Sequence, residues 1–241
     1  MITPATAAPA LIAENINASY GRSHVLRNLT FRVMPRETVS LLGRNGMGKT
    51  TLLRTLMGLL RPTSGAIRLG DMDIACARTS EIARRGLAFV PEGRGIFPNL
   101  TVEENLTFAS RPRRGGDGWD LPRIYAMFPR LAERRANWGN QLSGGEQKML
   151  AIGRALMTNP DLLLLDEATE GLAPKLREEI WETLRAIRLA GAAVVVVDKN
   201  LDDLLTLADR HVILSKGEVV FDGSADALRA DESFVQRHLG V

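Results

Sequence analysis

The stretch Gly43-Arg44-Asn45-Gly46-Met47-Gly48-Lys49-Thr50 fills every position of the phosphate-loop pattern G-x-x-x-x-G-K-[ST]. Glycines let successive backbone N–H groups turn toward phosphate oxygens, and the helix N-terminus that follows adds partial positive charge. Lys49 is placed to reach the β and γ phosphates of a nucleotide, and the Thr50 hydroxyl to ligate Mg²⁺. The flanking sequence fits this reading. Thr38 to Leu42 reads as a strand leading in, while Thr50 to Met57 has helical spacing that stops near Gly58, with Pro62 beyond. Gly43, Arg44, Asn45, Gly46, Met47, Gly48, Lys49, Thr50 and Thr51 are therefore the candidate nucleotide-binding set.

Working outward, Leu29, Phe31 and Val33 alternate with polar residues, as in a half-buried strand of an antiparallel sheet. Three short apolar runs read as fully buried strands: Leu87 to Val90, Leu162 to Leu165 and Val194 to Val197. Between the last two, Ile180, Leu184 and Ile187 share one helix face. Strands alternating with helices predict a parallel sheet with right-handed crossovers. From Thr101 to Gln141 the buried-strand signal is absent; Thr101 and Glu104 form a capping box, and Arg111 to Gly118 is a loop rich in Arg and Gly. That span, extended to about residue 153, reads as a helical lobe inserted into an α/β core. Val212 to Leu214 and Val219 to Phe221 flank a Lys216-Gly217 turn, a hairpin signal. Residues 1–10, rich in Ala and Pro, read as a disordered tail, and 11–241 as a single domain.

Composition sets bounds. The chain has 241 residues, 45% hydrophobic and 24% charged, with a net charge of +3, too small to argue for nucleic acid. Its one cysteine, Cys76, excludes an internal disulfide and is expected in the core as a small hydrophobe. The longest apolar runs fall far short of the roughly 20 residues that a bilayer requires, and the N-terminus lacks the charge of a secretory signal. A cytoplasmic location is the expectation.

Two further motifs carry chemistry. Leu162-Leu163-Leu164-Leu165-Asp166-Glu167 is a buried strand ending in two acids, at the end of a parallel strand where such sheets bind ligands. Asp166 is placed to hold Mg²⁺ and Glu167 to polarise an attacking water. Leu142-Ser143-Gly144-Gly145-Glu146-Gln147 opens a helix with a serine and two glycines, a second anion site distinct from the first. This hexapeptide, lying between the phosphate loop and the acidic strand, resembles the signature of ATP-binding cassette (ABC) ATPases.

The resemblance spans about Leu11 to Gly223 and implies a phosphate-loop (RecA-like) core with an N-terminal antiparallel β subdomain and an inserted α-helical lobe. It implies ATP and Mg²⁺ as cofactors, Tyr20 stacking on adenine, and a head-to-tail dimer. In that dimer Ser143, Gly144 and Gly145 of one subunit would close over the γ-phosphate held by Lys49 of the other. Three positions depart from the wider family: Glu92 stands for a usual glutamine, Ala173 for an aspartate and Lys199 for a histidine. Glu92 is expected to supply a Mg²⁺ or water ligand, and Lys199 to meet the phosphoryl oxygens as a point charge. Glu92, Ala173 and the stretch Ile96 to Leu106 resemble the smaller ATPase subunit of branched-chain amino-acid importers and of related urea or amide importers. The resemblance thus implies an ATPase, peripheral on the inner face of the cell membrane, that powers transmembrane permease subunits alongside an identical or paralogous ATPase. A soluble ABC ATPase of translation or repair would show two cassettes or a long coiled-coil insertion. A non-hydrolysing regulatory subunit fits Lys199 and Ala173, and Glu167 argues against it.

Overall fold

The computed structural model describes residues 10–93, 95–112 and 118–240. An antiparallel hairpin, β1 (Leu11–Tyr20) and β2 (Ser23–Val33), is joined by β4 (Ser64–Leu69) and β5 (Met72–Asp73) in a sheet of order β2-β1-β4-β5. The alternation of Leu29, Phe31 and Val33 is that of β2, and all three are buried. β1 hides from the same test because its period breaks. Leu11 and Ala13 are buried, then Ile16 and Ala18, with a register shift between the pairs. Asn15, at φ 52, lies within that irregularity, in a left-handed conformation that Asn tolerates better than most residues.

The second sheet holds the core. It contains β3 (Thr38–Leu42), β6 (Leu87–Val90), β7 (Leu162–Leu165), β8 (Ala193–Val196), β9 (Arg210–Ser215) and β10 (Glu218–Gly223), in the order β10-β9-β3-β8-β7-β6. All neighbours are parallel except the β9–β10 hairpin. From β3 the chain passes to the far edge at β6, returns through β7 and β8, and then crosses β3 to β9. The change of direction at β3 places the ligand crevice at the carboxyl ends of these strands.

Burial on both faces explains the continuous apolar runs. Leu162, Leu164, Val195 and Leu214 pack with Leu11, Ile16 and Phe31 of the antiparallel sheet and with Leu52 and Leu56 of α1 (Lys49–Leu56). Leu163, Leu165, Val194, Val196 and Ile213 point the other way, toward α6 (Gly144–Leu156) and α7 (Pro174–Leu189), where Leu150, Ile180, Leu184 and Ile187 meet them. The other α-helices among the described residues are α2 (Thr79–Arg84), α3 (Val102–Thr107), α4 (Leu121–Met127), α5 (Pro129–Glu133), α8 (Leu201–Leu207), α9 (Ala225–Arg229) and α10 (Glu232–Leu239).

Helices α3 to α6 all fall between β6 and β7. The Thr101–Glu104 capping box is formed, with Thr101 N–H donating to Glu104 Oε2 at 2.7 Å. Leu106, Ile124, Phe128 and Leu131 join α6 in one apolar cluster continuous with the sheet, so α6 belongs to the lobe and the core alike. Of the Arg- and Gly-rich loop, residues 113–117 lie outside the described residues. Its ends are held by Asn159, whose amide donates to Arg111 O at 2.6 Å and whose Oδ1 accepts from Trp119 N–H at 2.6 Å.

Two expectations need correction. Cys76 is exposed and free rather than buried, because it lies in the turn between β5 and α2, where Ile74 fills the core position. Ala10 is not tail: its carbonyl accepts from Gly70 N–H at 2.8 Å, while residues 1–9 lie outside the described residues. No helix among the described residues is long and apolar enough to cross a membrane.

His211 on β9 is fully buried, its Nδ1 2.7 Å from the Ser40 hydroxyl and its Nε2 without a partner. Burial holds its pKa below the ordinary 6.5, with Arg229 adding to the effect and Asp209 opposing it. The unfolded chain therefore takes up this proton first as pH falls. His211 thus contributes stability that is complete above 6.5 and is lost as pH drops toward the lower folded value. Urea midpoints measured from about pH 7.5 to 5 should fall for the wild type and fall less for His211→Gln. Parallel curves would clear His211 of this role.

Candidate active site

Gly43, Gly46 and Gly48, with φ of 135, 78 and 105, bend the loop from β3 into α1. At Gly43 a Cβ would stand 2.4 Å from Leu214 O, so no side chain fits. The β9–β10 turn braces the loop: Gly217 N–H donates to Met47 O at 3.1 Å and Lys216 N–H to Met47 Sδ at 3.2 Å. The turn is itself seated on β2, where a Cβ on Gly217 would meet Val25 O at 1.8 Å. Both sheets thus fix the loop. The first turn of α1 has no acidic residue and no side-chain cap, which leaves its N–H groups open to an anion.

Lys49 Nζ folds back onto the loop and donates to Gly43 O at 2.6 Å and Arg44 O at 3.0 Å. Burial lowers its pKa below the lysine value; Asp166 opposes this and Lys199 adds to it. Such a half-buried cation is well matched to a polyanion. Lys49, Gly43, Arg44 and Asn45 line a cleft of about 410 Å³ together with Glu167, Asp198 and Lys199. A second cleft begins one residue further on, at Thr50 and Asp166, and reaches Glu92 and Gly93. Thr51 is buried in α1.

Asp166 follows β7 and is 1% exposed, its N–H donating to Val90 O at 2.9 Å. Neither of its carboxylate oxygens has a hydrogen-bond partner of normal geometry. Burial pushes the carboxyl above its usual range, as does Glu92; the Thr50 hydroxyl, Lys148 and Lys49 pull it back. Buried oxygen ligands with nothing to bind are the donor set of a hard divalent cation.

Glu167, next in the chain, is held at φ 49, a left-handed conformation rare for a side chain of its length, and its Oε2 is buried without a partner. Oxygens of Glu92, Glu167 and Glu170 lie within 4.8 Å of one another. The Lys199 ammonium, expected from the sequence to act as a point charge, lines the cleft of Lys49 and pairs with Glu170 rather than Glu92. Glu170 was not among the predicted site residues, because nothing in its loop marks it as the partner of a lysine in the loop after β8.

Sequence reasoning also missed two buried groups. Asp198, at the end of β8, accepts from Thr169 N–H and Oγ1–H at 2.8 Å each, and from Lys199 N–H and Asn200 N–H at 2.8 and 3.0 Å. It ties the loop carrying Glu167 to the next strand. An acid closing an apolar run, as Asp166 does, was the available signal. Lys148 on α6 sends its ammonium among these acids, and no pattern within a helix announces that.

Ser143 caps α6 reciprocally: its Oγ accepts from Glu146 N–H at 3.3 Å, and its N–H donates to Glu146 Oε2 at 2.8 Å. Arg134 secures Glu146 at 2.9 Å. A Cβ on Gly145 would meet the Leu176 side chain at 2.3 Å, so glycine lets α6 start close against α7. Ser143 is exposed, and neither it nor Gly144, Gly145 or Tyr20 lines the cleft of Lys49. Tyr20 ends β1 with its ring exposed and the Arg54 guanidinium 6.0 Å from its centroid.

A strand, glycine loop and helix beside an acidic strand end define a phosphate-loop nucleoside triphosphatase. The family is narrower. The profile of the family described as ABC transporter matches residues 26–170. High-affinity branched-chain amino acid transport ATP-binding protein BraG of Pseudomonas aeruginosa is 40% identical over 94% of this chain and 98% of its own. Nod factor export ATP-binding protein I of Paraburkholderia xenovorans is 35% identical over 91% of this chain and 72% of its own. A dimeric ATP-binding cassette solved in a post-hydrolysis state with ADP and Pi superposes with a TM-score of 0.77 at 27% identity, covering 89% of this chain and 98% of that one. The chain belongs to the ABC transporter family and is an ATP-binding cassette that hydrolyses ATP.

Lys49→Ala should weaken ATP binding by about a hundredfold or more, the loss of a charge-assisted contact to phosphate. Isothermal calorimetry measures this directly. An unchanged affinity would move the phosphates elsewhere.

Proposed function

We propose that this cassette powers a membrane importer for branched-chain or other hydrophobic amino acids, on the inner face of the membrane. It works there with transmembrane permease subunits and a second ATPase subunit, identical or paralogous. The observation that carries this reading is the 40% identity to BraG across nearly the whole of both chains. The relative named for Nod factor export stands at 35% and covers less of its own length.

In this reading Tyr20 stacks on adenine, as its exposed ring allows. The loop amides from Gly43 to Thr51 and the Lys49 ammonium bind the phosphates. Thr50, Asp166 and Glu92 would hold Mg²⁺, a role that fits the unpartnered Asp166 oxygens and the shared cleft. Held by these residues, the ion would supply positive charge to the nucleotide phosphates. Glu167 polarises the attacking water. Ser143, which is exposed, and the adjoining Gly144 and Gly145 at the start of α6 meet the nucleotide of a facing subunit, a role that agrees with their absence from the lining of their own chain's cleft. Lys199 acts together with Glu170 as an ion pair at the cleft mouth.

Glu167→Gln should bind ATP with little change and hydrolyse it about a hundred- to ten-thousandfold more slowly, since the amide keeps the shape and loses the base. With Mg-ATP its mass by light scattering should double where the second ATPase subunit is identical. Turnover at the wild-type rate would assign the water to another group. For cargo, cells carrying only this variant should lose uptake of labelled leucine and valine while keeping that of urea. Lost urea uptake with intact leucine uptake would instead place the cassette with the amide importers.

A further inference from the structure

Lys148 lies in the second turn of α6, and only 6% of the residue is exposed. Its ammonium donates to two carbonyls, Pro91 O and Asp166 O, each at 3.3 Å. These carbonyls belong to the peptide units that lead directly into Glu92 and Glu167. A peptide plane is rigid, so fixing the Asp166 carbonyl fixes the N–H of Glu167 and one side of the rotation about its N–Cα bond; the other side is held by the next peptide unit, whose Ala168 N–H donates to Val197 O at 3.3 Å. That rotation is the unusual one, at φ 49. Two residues whose side chains approach within 4.8 Å thus have their backbones gripped by a single buried cation.

A buried lysine is expensive unless opposed, and this one is opposed on several sides. Burial lowers its pKa, while Asp166, Asp198, Glu92 and Glu170 all favour its charged form. Further along the same helix, Arg154 donates to Gly95 O and covers the Phe97 ring at 4.9 Å, so α6 holds the far end of the Glu92 loop as well. Nothing about the packing of α6 requires a charge here, since its neighbours Met149, Leu150 and Ile152 are apolar core residues.

We propose that Lys148 is a positioning residue for hydrolysis: it orients the peptide units that carry Glu92 and Glu167 and holds Glu167 in its left-handed conformation. The residue touches no nucleotide; it acts through those two acids. This rests on Glu167 acting on the attacking water.

The experiment compares Lys148→Gln and Lys148→Met with wild type, alone and combined with Glu167→Gln. ATP binding is measured by calorimetry without Mg²⁺, and kcat and KM with it. Affinity and KM should stay within about twofold, because the phosphate loop is untouched. In the Glu167 background kcat should fall by about tenfold or more, as for a misplaced catalytic group. In the Glu167→Gln background the same substitution should cost less than about threefold, since there is no base left to position. Equal losses in both backgrounds, a loss carried by KM, or wild-type kcat in either Lys148 variant would overturn the proposal. Loss of Mg-free ATP binding in both variants would also overturn it, as a residue required merely for folding. Wild-type turnover by Glu167→Gln itself would instead defeat the reading of Glu167, whatever Lys148 does.

Discussion

Glu92, Asp166, Glu167, Glu170 and Asp198 all spring from the carboxyl ends of three neighbouring parallel strands, β6, β7 and β8. Like charges gathered so closely repel, and the more strongly where water is thin. The surrounding structure answers that repulsion with different means at different depths. Asp198 is met by four donors from the loops on either side. Glu170 is met by Lys199 at the surface. Asp166 has no partner of normal geometry for either oxygen, while Lys148 and Lys49 favour its charged form and Glu92 opposes it. A fold that fully satisfied these acids would leave nothing for the cation proposed at this site.

The phosphate loop is held by equally specific means. Its glycines are fixed between Leu214 of the parallel sheet and a hairpin turn pressed against β2 of the antiparallel one. The two sheets share the apolar layer of Leu162, Leu164, Val195 and Ile16, so the loop rests on the junction between them. Helix α6 links this centre to the lobe: its N-terminal serine faces outward, while its second turn reaches the carbonyls behind Glu92 and Glu167.

Much of this was readable in the sequence, for definite reasons. The phosphate loop, β6, β7, β8 and the β9–β10 hairpin follow local rules, in which glycine placement, apolar runs and turn residues act over a few positions. β1 was obscured because the irregularity around Asn15 shifts its period midway. Cys76 was misplaced because a small apolar residue carries no sign of whether its turn faces in or out. Lys148, Asp198 and Glu170 escaped because their roles come from contacts between separate strands and helices. A lysine inside an apolar helix pattern reads as a surface position until the structure brings acids to it.

The backbone of Glu167 has a bearing on how this protein can change. A left-handed conformation at a long side chain costs about 1–2 kcal/mol, which glycine avoids and asparagine reduces. Selection for heat resistance alone would therefore favour Gly or Asn at this codon, relaxing the chain while deleting the acid. With Glu167 in the role proposed for it, robustness and turnover would compete at a single position, and a lineage that keeps glutamate there would accept a less durable fold as the condition of its chemistry.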